Sequence, residues 1–196
     1  MIGFRSIAIT VLMSYILVMV MGPFLIPVLH KMKFGQTVRD DGPQSHLKKN
    51  GTPTMGGVMF MVAITAVTLW RAGINANVLM ALLCMLGFGL IGLMDDLVKI
   101  KMTRSLGLTA KQKILLQVIL AFAVSYYQYK VVGDGSQFIV PFVQAEINIG
   151  IAYIPFMMIV VLGTVNAVNL TDGLDGLASG ITAIVALFFT IFAFIV

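Results

Sequence analysis

Two aspartates stand side by side where an apolar run ends, in Leu93-Met94-Asp95-Asp96-Leu97-Val98-Lys99. Ionisable residues at a membrane boundary are costly and mark functional sites. Here they fall at a predicted helix C-terminus, whose backbone already presents partial negative charge. The two carboxylates repel each other and that charge, and a bound cation would remove both penalties. Asp95 and Asp96 are therefore read as a divalent-metal site near a membrane surface. Mg²⁺ suits it, being a hard ion held by one or two carboxylates together with substrate phosphates. Lys99 lies three residues after Asp96, on the same helix face, where its ammonium can hold a phosphate oxygen. The blander alternative is a solvated helix end whose aspartates merely stop the span.

A second polar cluster is Asn166-Ala167-Val168-Asn169-Leu170-Thr171-Asp172-Gly173-Leu174-Asp175-Gly176. Polar side chains recur at every third position, 166, 169, 172 and 175. The asparagines share a helix face at the end of an apolar run and suit recognition of an amide, such as a uracil ring, or of a diphosphate. One of the two aspartates is expected to cap the helix that follows, where a carboxylate is favoured. Gly173 and Gly176 are expected to break or reverse the chain. The third cluster is Lys48-Lys49-Asn50-Gly51-Thr52-Pro53-Thr54-Met55-Gly56-Gly57. Thr54 is placed to cap a helix, and Gly51, Gly56 and Gly57 permit close backbone approach. A lysine beside such a helix start makes a phosphate seat.

These clusters need elements to carry them, and the composition says which. The chain has 196 residues, 59% hydrophobic and 11% charged, with a mean hydropathy of +1.01. A soluble domain carries about 25% charged residues, so this is an integral membrane protein. The expected fold is all-α and polytopic. Six apolar segments, residues 7–29, 55–70, 78–94, 114–129, 151–168 and 177–196, approach the roughly 20 residues that cross a bilayer. The second is short. The first is too long for a signal-peptide core and has no small-residue cleavage site, so it is read as a retained span. The chain is read as a single transmembrane domain, 1–196.

The net charge of +5 is concentrated in two loops. Lys31, Lys33, Arg39, Lys48 and Lys49 lie in one, and Lys99, Lys101, Arg104, Lys111 and Lys113 in the other. In a membrane protein this is a topology signal, and it argues against a nucleic-acid partner. The positive-inside rule places both loops in the cytoplasm and the N-terminus outside. The segment 166–176 then also falls inside. Residues 131–150 fall outside and read as a small β-hairpin, 138–143 with 145–149, with Pro141 as its weak point.

Several motif matches are set aside. Gly87-Phe88-Gly89-Leu90-Ile91-Gly92 fits a dinucleotide fingerprint, but it lies within an apolar span and is read as close helix packing through small residues. Asn169-Leu170-Thr171 fits a glycosylation acceptor on the wrong side of the membrane. His30 and His46 are isolated, and the single Cys84 cannot form an internal disulfide.

Together the three clusters resemble the phospho-N-acetylmuramoyl-pentapeptide-transferase family. Residues 48–57 read as its K-x-G-T-P-T-M-G-G segment, Asp95–Lys99 as D-D-x-x-K, and 166–177 as N-x-x-N-L-T-D-G-L-D-G-L. The resemblance covers about residues 22–180, in order. The aspartate pair alone is shared with the wider superfamily of polyprenyl-phosphate sugar-phosphate transferases. The resemblance implies a Mg²⁺-dependent enzyme of the bacterial inner membrane, with its site on the cytoplasmic face. It would move phospho-N-acetylmuramoyl-pentapeptide from UDP-N-acetylmuramoyl-pentapeptide to undecaprenyl phosphate, releasing UMP. By the same resemblance Asp95, Asp96 and Lys99 form the catalytic centre, and Lys48 and Lys111 contact phosphates or lipid head. Asn166, Asn169 and Asp175 contact the nucleotide, Asp172 joins Asp95 and Asp96 around the metal, and the enzyme is a homodimer. Family members have roughly ten spans, with a further metal-binding aspartate and a histidine-rich loop in the C-terminal part. The chain is thus expected to be the N-terminal portion of such an enzyme, and inactive or very weak alone.

Rival readings remain. A sister enzyme would use UDP-N-acetylglucosamine with the same lipid. A cation or solute transporter would use Asp95, Asp96, Asp172 and Asp175 as ligands, although transporter sites sit near the membrane midplane and these residues sit at its edge. A non-catalytic chain with an assembly role is the third.

Overall fold

The computed structural model describes residues 4–31, 54–102, 107–131, 136–140 and 145–195. Lys48, Lys49, Gly51 and Pro141, named above, lie outside the described residues. Among the described residues six α-helices dominate: α1 Phe4–Lys31, α2 Gly57–Ala72, α3 Ala76–Lys101, α4 Ala110–Val131, α5 Tyr153–Thr171 and α6 Leu177–Ile195. Strands β1 Gln137–Val140 and β2 Ala145–Asn148 lie between α4 and α5, and a 3-10 turn, Gly150–Ala152, leads into α5. Five of these described helices are long and apolar enough to cross a membrane, and α2 is a shorter apolar helix. At about 1.5 Å per residue, the 16 residues of α2 reach about 24 Å, short of a bilayer core of about 30 Å. Large apolar side chains such as Phe24, Leu83, Ile159, Ile184 and Phe189 are exposed. This is an all-α polytopic membrane protein, in which such side chains meet lipid.

The chain divides into two compact units, Gly3–Leu120 and Ala121–Val196, with the boundary inside α4. In the first unit, α1 packs on α2 and α2 on α3. The buried stripe of α2 is Met59, Ala63 and Val67, one residue per turn on a single face. Gly73, at φ +68°, ends α2 and donates its N–H to the Leu69 carbonyl. Asn75 then caps α3, its side chain accepting from Val78 N at 2.9 Å. Arg71 at the end of α2 donates to the Ser6 and Thr10 hydroxyls of α1.

The small-residue reading of the segment 87–92 holds for two of its three glycines. A Cβ on Gly87 would meet Leu120 of α4, and one on Gly89 would come within 2.7 Å of Met61 on α2. Nothing lies within 4 Å of a Cβ on Gly92. In the second unit, β1 and β2 form the expected antiparallel hairpin, registered from Gln137 opposite Asn148 to Val140 opposite Ala145.

Candidate active site at the end of α3

The helix that carries Asp95 and Asp96 does not stop where its apolar stretch stops. α3 continues to Lys101, so both aspartates precede its last turn, and the expected placement at a helix C-terminus is corrected. The reason lies in the sequence itself. Asp95 and Asp96 stand four and three residues before Lys99, the spacing at which an acid followed by a base stabilises a helix. Lys99 and Lys101 then occupy the last turn, where positive charge suits the helix dipole.

Lys99 bridges the pair. Its Nζ lies 2.7 Å from Asp95 Oδ2 and 3.1 Å from Asp96 Oδ1. The two carboxylates are not equivalent. Asp95 is buried, at 9% exposure, and its Oδ1 accepts the backbone N–H of Leu108 at 2.9 Å. Asp96 has only the Lys99 contact among the described residues. Its Oδ2 is therefore the one carboxylate oxygen of the pair without a protein hydrogen bond among those residues. The repulsion read from the sequence is relieved by this ammonium and this backbone amide, both supplied by the protein.

Residues 107–113 explain how Leu108 reaches Asp95. Thr109 and Gln112 form a capping box at the start of α4. Gln112 N donates to Thr109 Oγ1 at 3.3 Å, and Thr109 N donates to Gln112 Oε1 at 3.1 Å. That reciprocal pair fixes where α4 begins and leaves the preceding N–H, of Leu108, to the aspartate. Gly107 is buried against the same residue. A Cβ there would lie 2.6 Å from the Asp95 main-chain oxygen and closer still to its Oδ1. Lys113, half-buried one turn into α4, adds its positive charge to the field at Asp95. Lys111, two residues earlier, is exposed. Gly107, Leu108 and Lys113 were not singled out from the sequence. The capping box was a legible signal for Leu108, because it sets where the helix starts and so its phase.

A hard divalent ion fits this donor set. Among the described residues no three His, Cys, Asp or Glu side chains cluster. Two adjacent carboxylates with one unbonded oxygen match a Mg²⁺ ion that takes its remaining ligands from phosphate and water. Asp96 would hold it directly, with Asp95 fixed behind.

At the start of α2, Thr54 does not cap the helix as expected. Gly56 occupies the cap, with no side-chain bond, because Met55 turns the chain at φ +68° before it. In the second unit, Asn166 and Asn169 stand three apart near the C-terminal end of α5. Asn166 is half-buried and donates to the Leu162 carbonyl at 2.9 Å, and Asn169 is exposed. Asp172 is the C-cap of α5. Gly176, at φ +81°, directly precedes α6, its carbonyl accepting the N–H of Gly180 at 2.8 Å. It is the left-handed residue at this reversal, a conformation glycine adopts without strain. Asp172 and Asp175 are both exposed.

The model of glycosyl transferase family 4 matches residues 78–196, which include α3 with its aspartates and the whole second unit. The chain belongs to glycosyl transferase family 4. Residues 49–61 match a separate model, phospho-N-acetylmuramoyl-pentapeptide-transferase signature 1. Curated relatives of that same name agree. The chain is 54% identical over 193 residues to the phospho-N-acetylmuramoyl-pentapeptide-transferase of Clostridioides difficile (strain 630), covering 98% of this chain and 60% of the relative. It is 48% identical over 189 residues to that of Thermoanaerobacter sp. (strain X514), covering 96% and 59%. It is 48% identical over 185 residues to that of Clostridium botulinum (strain Alaska E43 / Type E3), covering 93% and 56%. The chain thus spans about three-fifths of the length of these relatives.

Proposed function

We propose that this chain carries the front part of a phospho-N-acetylmuramoyl-pentapeptide transferase. The reaction joins UDP-N-acetylmuramoyl-pentapeptide to undecaprenyl phosphate and releases UMP, as a step of peptidoglycan synthesis. The observation that carries the reading is the Asp95–Asp96–Lys99 cluster at the end of a membrane-crossing helix, with one carboxylate oxygen that receives no hydrogen bond among the described residues. One substrate is water-soluble and the other is anchored in lipid, so a site at the membrane edge serves both. The 54% identity to a relative of that name supports the choice of sugar.

The same reading gives the remaining roles. The site faces the cytoplasm and the N-terminus faces outward, by the distribution of lysine and arginine. The whole chain forms one transmembrane domain, and the enzyme works as a homodimer. Mg²⁺ at Asp96, when bound, neutralises charge that develops on the phosphoryl oxygens. Lys99 neutralises the carboxylates and can turn to a phosphate oxygen. Lys48 and Lys111 contact phosphate or lipid head, Asn166, Asn169 and Asp175 hold the nucleotide, and Asp172 contributes to the metal surroundings.

An oxygen of the lipid phosphate attacks the phosphorus that bears the sugar. A new P–O–P bond forms, the bond to UMP breaks, and UMP leaves with the electron pair. A phosphate monoester has a second pKa of about 6, so the attacking group is already a dianion at neutral pH. No strong base is needed, and Asp95 and Asp96 act by position and charge. In membranes containing the full gene product, UDP-N-acetylmuramoyl-pentapeptide is expected to drive UMP release. Release driven only by UDP-N-acetylglucosamine would assign the sister activity. Mg²⁺ uptake without any nucleotide requirement would favour a transporter.

A further inference from the structure

We infer that the Gly107–Leu108 turn is a positioning element for the carboxylate pair, holding Asp95 from the backbone so that Asp96 stays open to ligand. The inference rests on the reading of this pair as the reaction centre. Three observations converge on it. Leu108 N–H is bonded to Asp95 Oδ1, the Thr109–Gln112 box fixes the start of the helix that aims this N–H, and Gly107 lies against Asp95.

The glycine is required by space and not by backbone angle. A Cβ at position 107 would overlap the main-chain oxygen of Asp95 and its carboxylate. The main-chain oxygen belongs to α3 and cannot swing aside as a flexible side chain can. An added methyl group therefore pushes the turn away from α3, and the Leu108 N–H goes with it. Asp95 then keeps only Lys99, and the carboxylate becomes free to rotate. Lys99 is shared with Asp96, so the disturbance passes to the Asp96 carboxylate. Gly107 touches no reacting atom and acts through Asp95.

The test compares the full gene product with its Gly107→Ala variant, using UDP-N-acetylmuramoyl-pentapeptide, undecaprenyl phosphate and Mg²⁺. A misplacement of about 1 Å costs about 100-fold in rate. The expected result is a fall in kcat of about 10- to 100-fold, with the KM for the nucleotide substrate changed by less than about twofold. A kcat within twofold of wild type overturns the inference. So does a loss explained wholly by less folded protein. Where the alanine variant does not fold, backbone hydrogen exchange decides. The Leu108 amide should be protected in the unmodified protein and should exchange at least about tenfold faster in Asp95→Ala. Equal exchange in the two overturns the inference. An unmodified protein that makes no product refutes the proposed reaction. The exchange experiment then still decides whether the turn holds Asp95.

Discussion

Replacing each aspartate by alanine should destabilise the protein unequally, although the residues are neighbours of one type. Asp95→Ala removes the Lys99 contact at 2.7 Å and strands the Leu108 N–H. A hydrogen bond to a charged group contributes about 1.5–3 kcal/mol. Lys99 is 37% exposed, so its ion pair is discounted to about 0.5–1 kcal/mol for solvent screening. Together the losses come to about 3 kcal/mol. Asp96→Ala removes one contact of 3.1 Å from a side chain 31% exposed, worth about 0.5 kcal/mol. It also relieves the repulsion between neighbouring carboxylates. The assay is thermal unfolding of the two variants in detergent at equal, low Mg²⁺. A change of 1 kcal/mol moves the midpoint by about 2–4 °C in a chain of 150–250 residues, and by less in a longer one. The shift for Asp95→Ala should be at least about sixfold the larger. Equal shifts would refute the division into an anchored and an open carboxylate.

Two further predictions follow from the same geometry. Thr109→Ala breaks the capping box and should cost about 1 kcal/mol in unfolding, while also lowering transfer, because the start of α4 aims the N–H that holds Asp95. Asp95→Asn retains an oxygen that can accept from Leu108 but loses the charge paired with Lys99. Transfer should fall by about 100- to 1000-fold yet stay measurable, since removing one electrostatic stabiliser costs on this order. A loss beyond about 10⁴-fold would indicate that Asp95 is an essential base or nucleophile.

The spans were legible because apolar length is a strong signal, and the hairpin because its turn and strand residues are distinct. Helix ends were less so. The charges at 95 and 96 end the apolar run, but an apolar boundary is not a helix boundary. The helix continues because the charges pair along it, Asp95 and Asp96 with Lys99. The start of α2 is a second case. Gly56 takes the cap position expected of Thr54, because the residue before it, Met55, is left-handed. Composition alone does not reveal which residue must be left-handed. The pair Lys111 and Lys113 shows a third limit. Two residues apart on a helix they face different ways, and only the phase set by Thr109 and Gln112 distinguishes them. Gly107 could not be found from the sequence, since its role is fixed by a contact with the backbone oxygen of Asp95, a residue distant in sequence.

The most direct measurement is mass spectrometry of the lipid product made by the full gene product from UDP-N-acetylmuramoyl-pentapeptide and undecaprenyl phosphate. It is run with Mg²⁺, with a chelator, and with the Asp96→Ala variant. The expected product is undecaprenyl diphosphate carrying the muramoyl-pentapeptide, formed with UMP in the first case and abolished in the other two. Unchanged product in the chelator or from Asp96→Ala would contradict the assignment of the Asp95–Asp96–Lys99 cluster as the reaction centre.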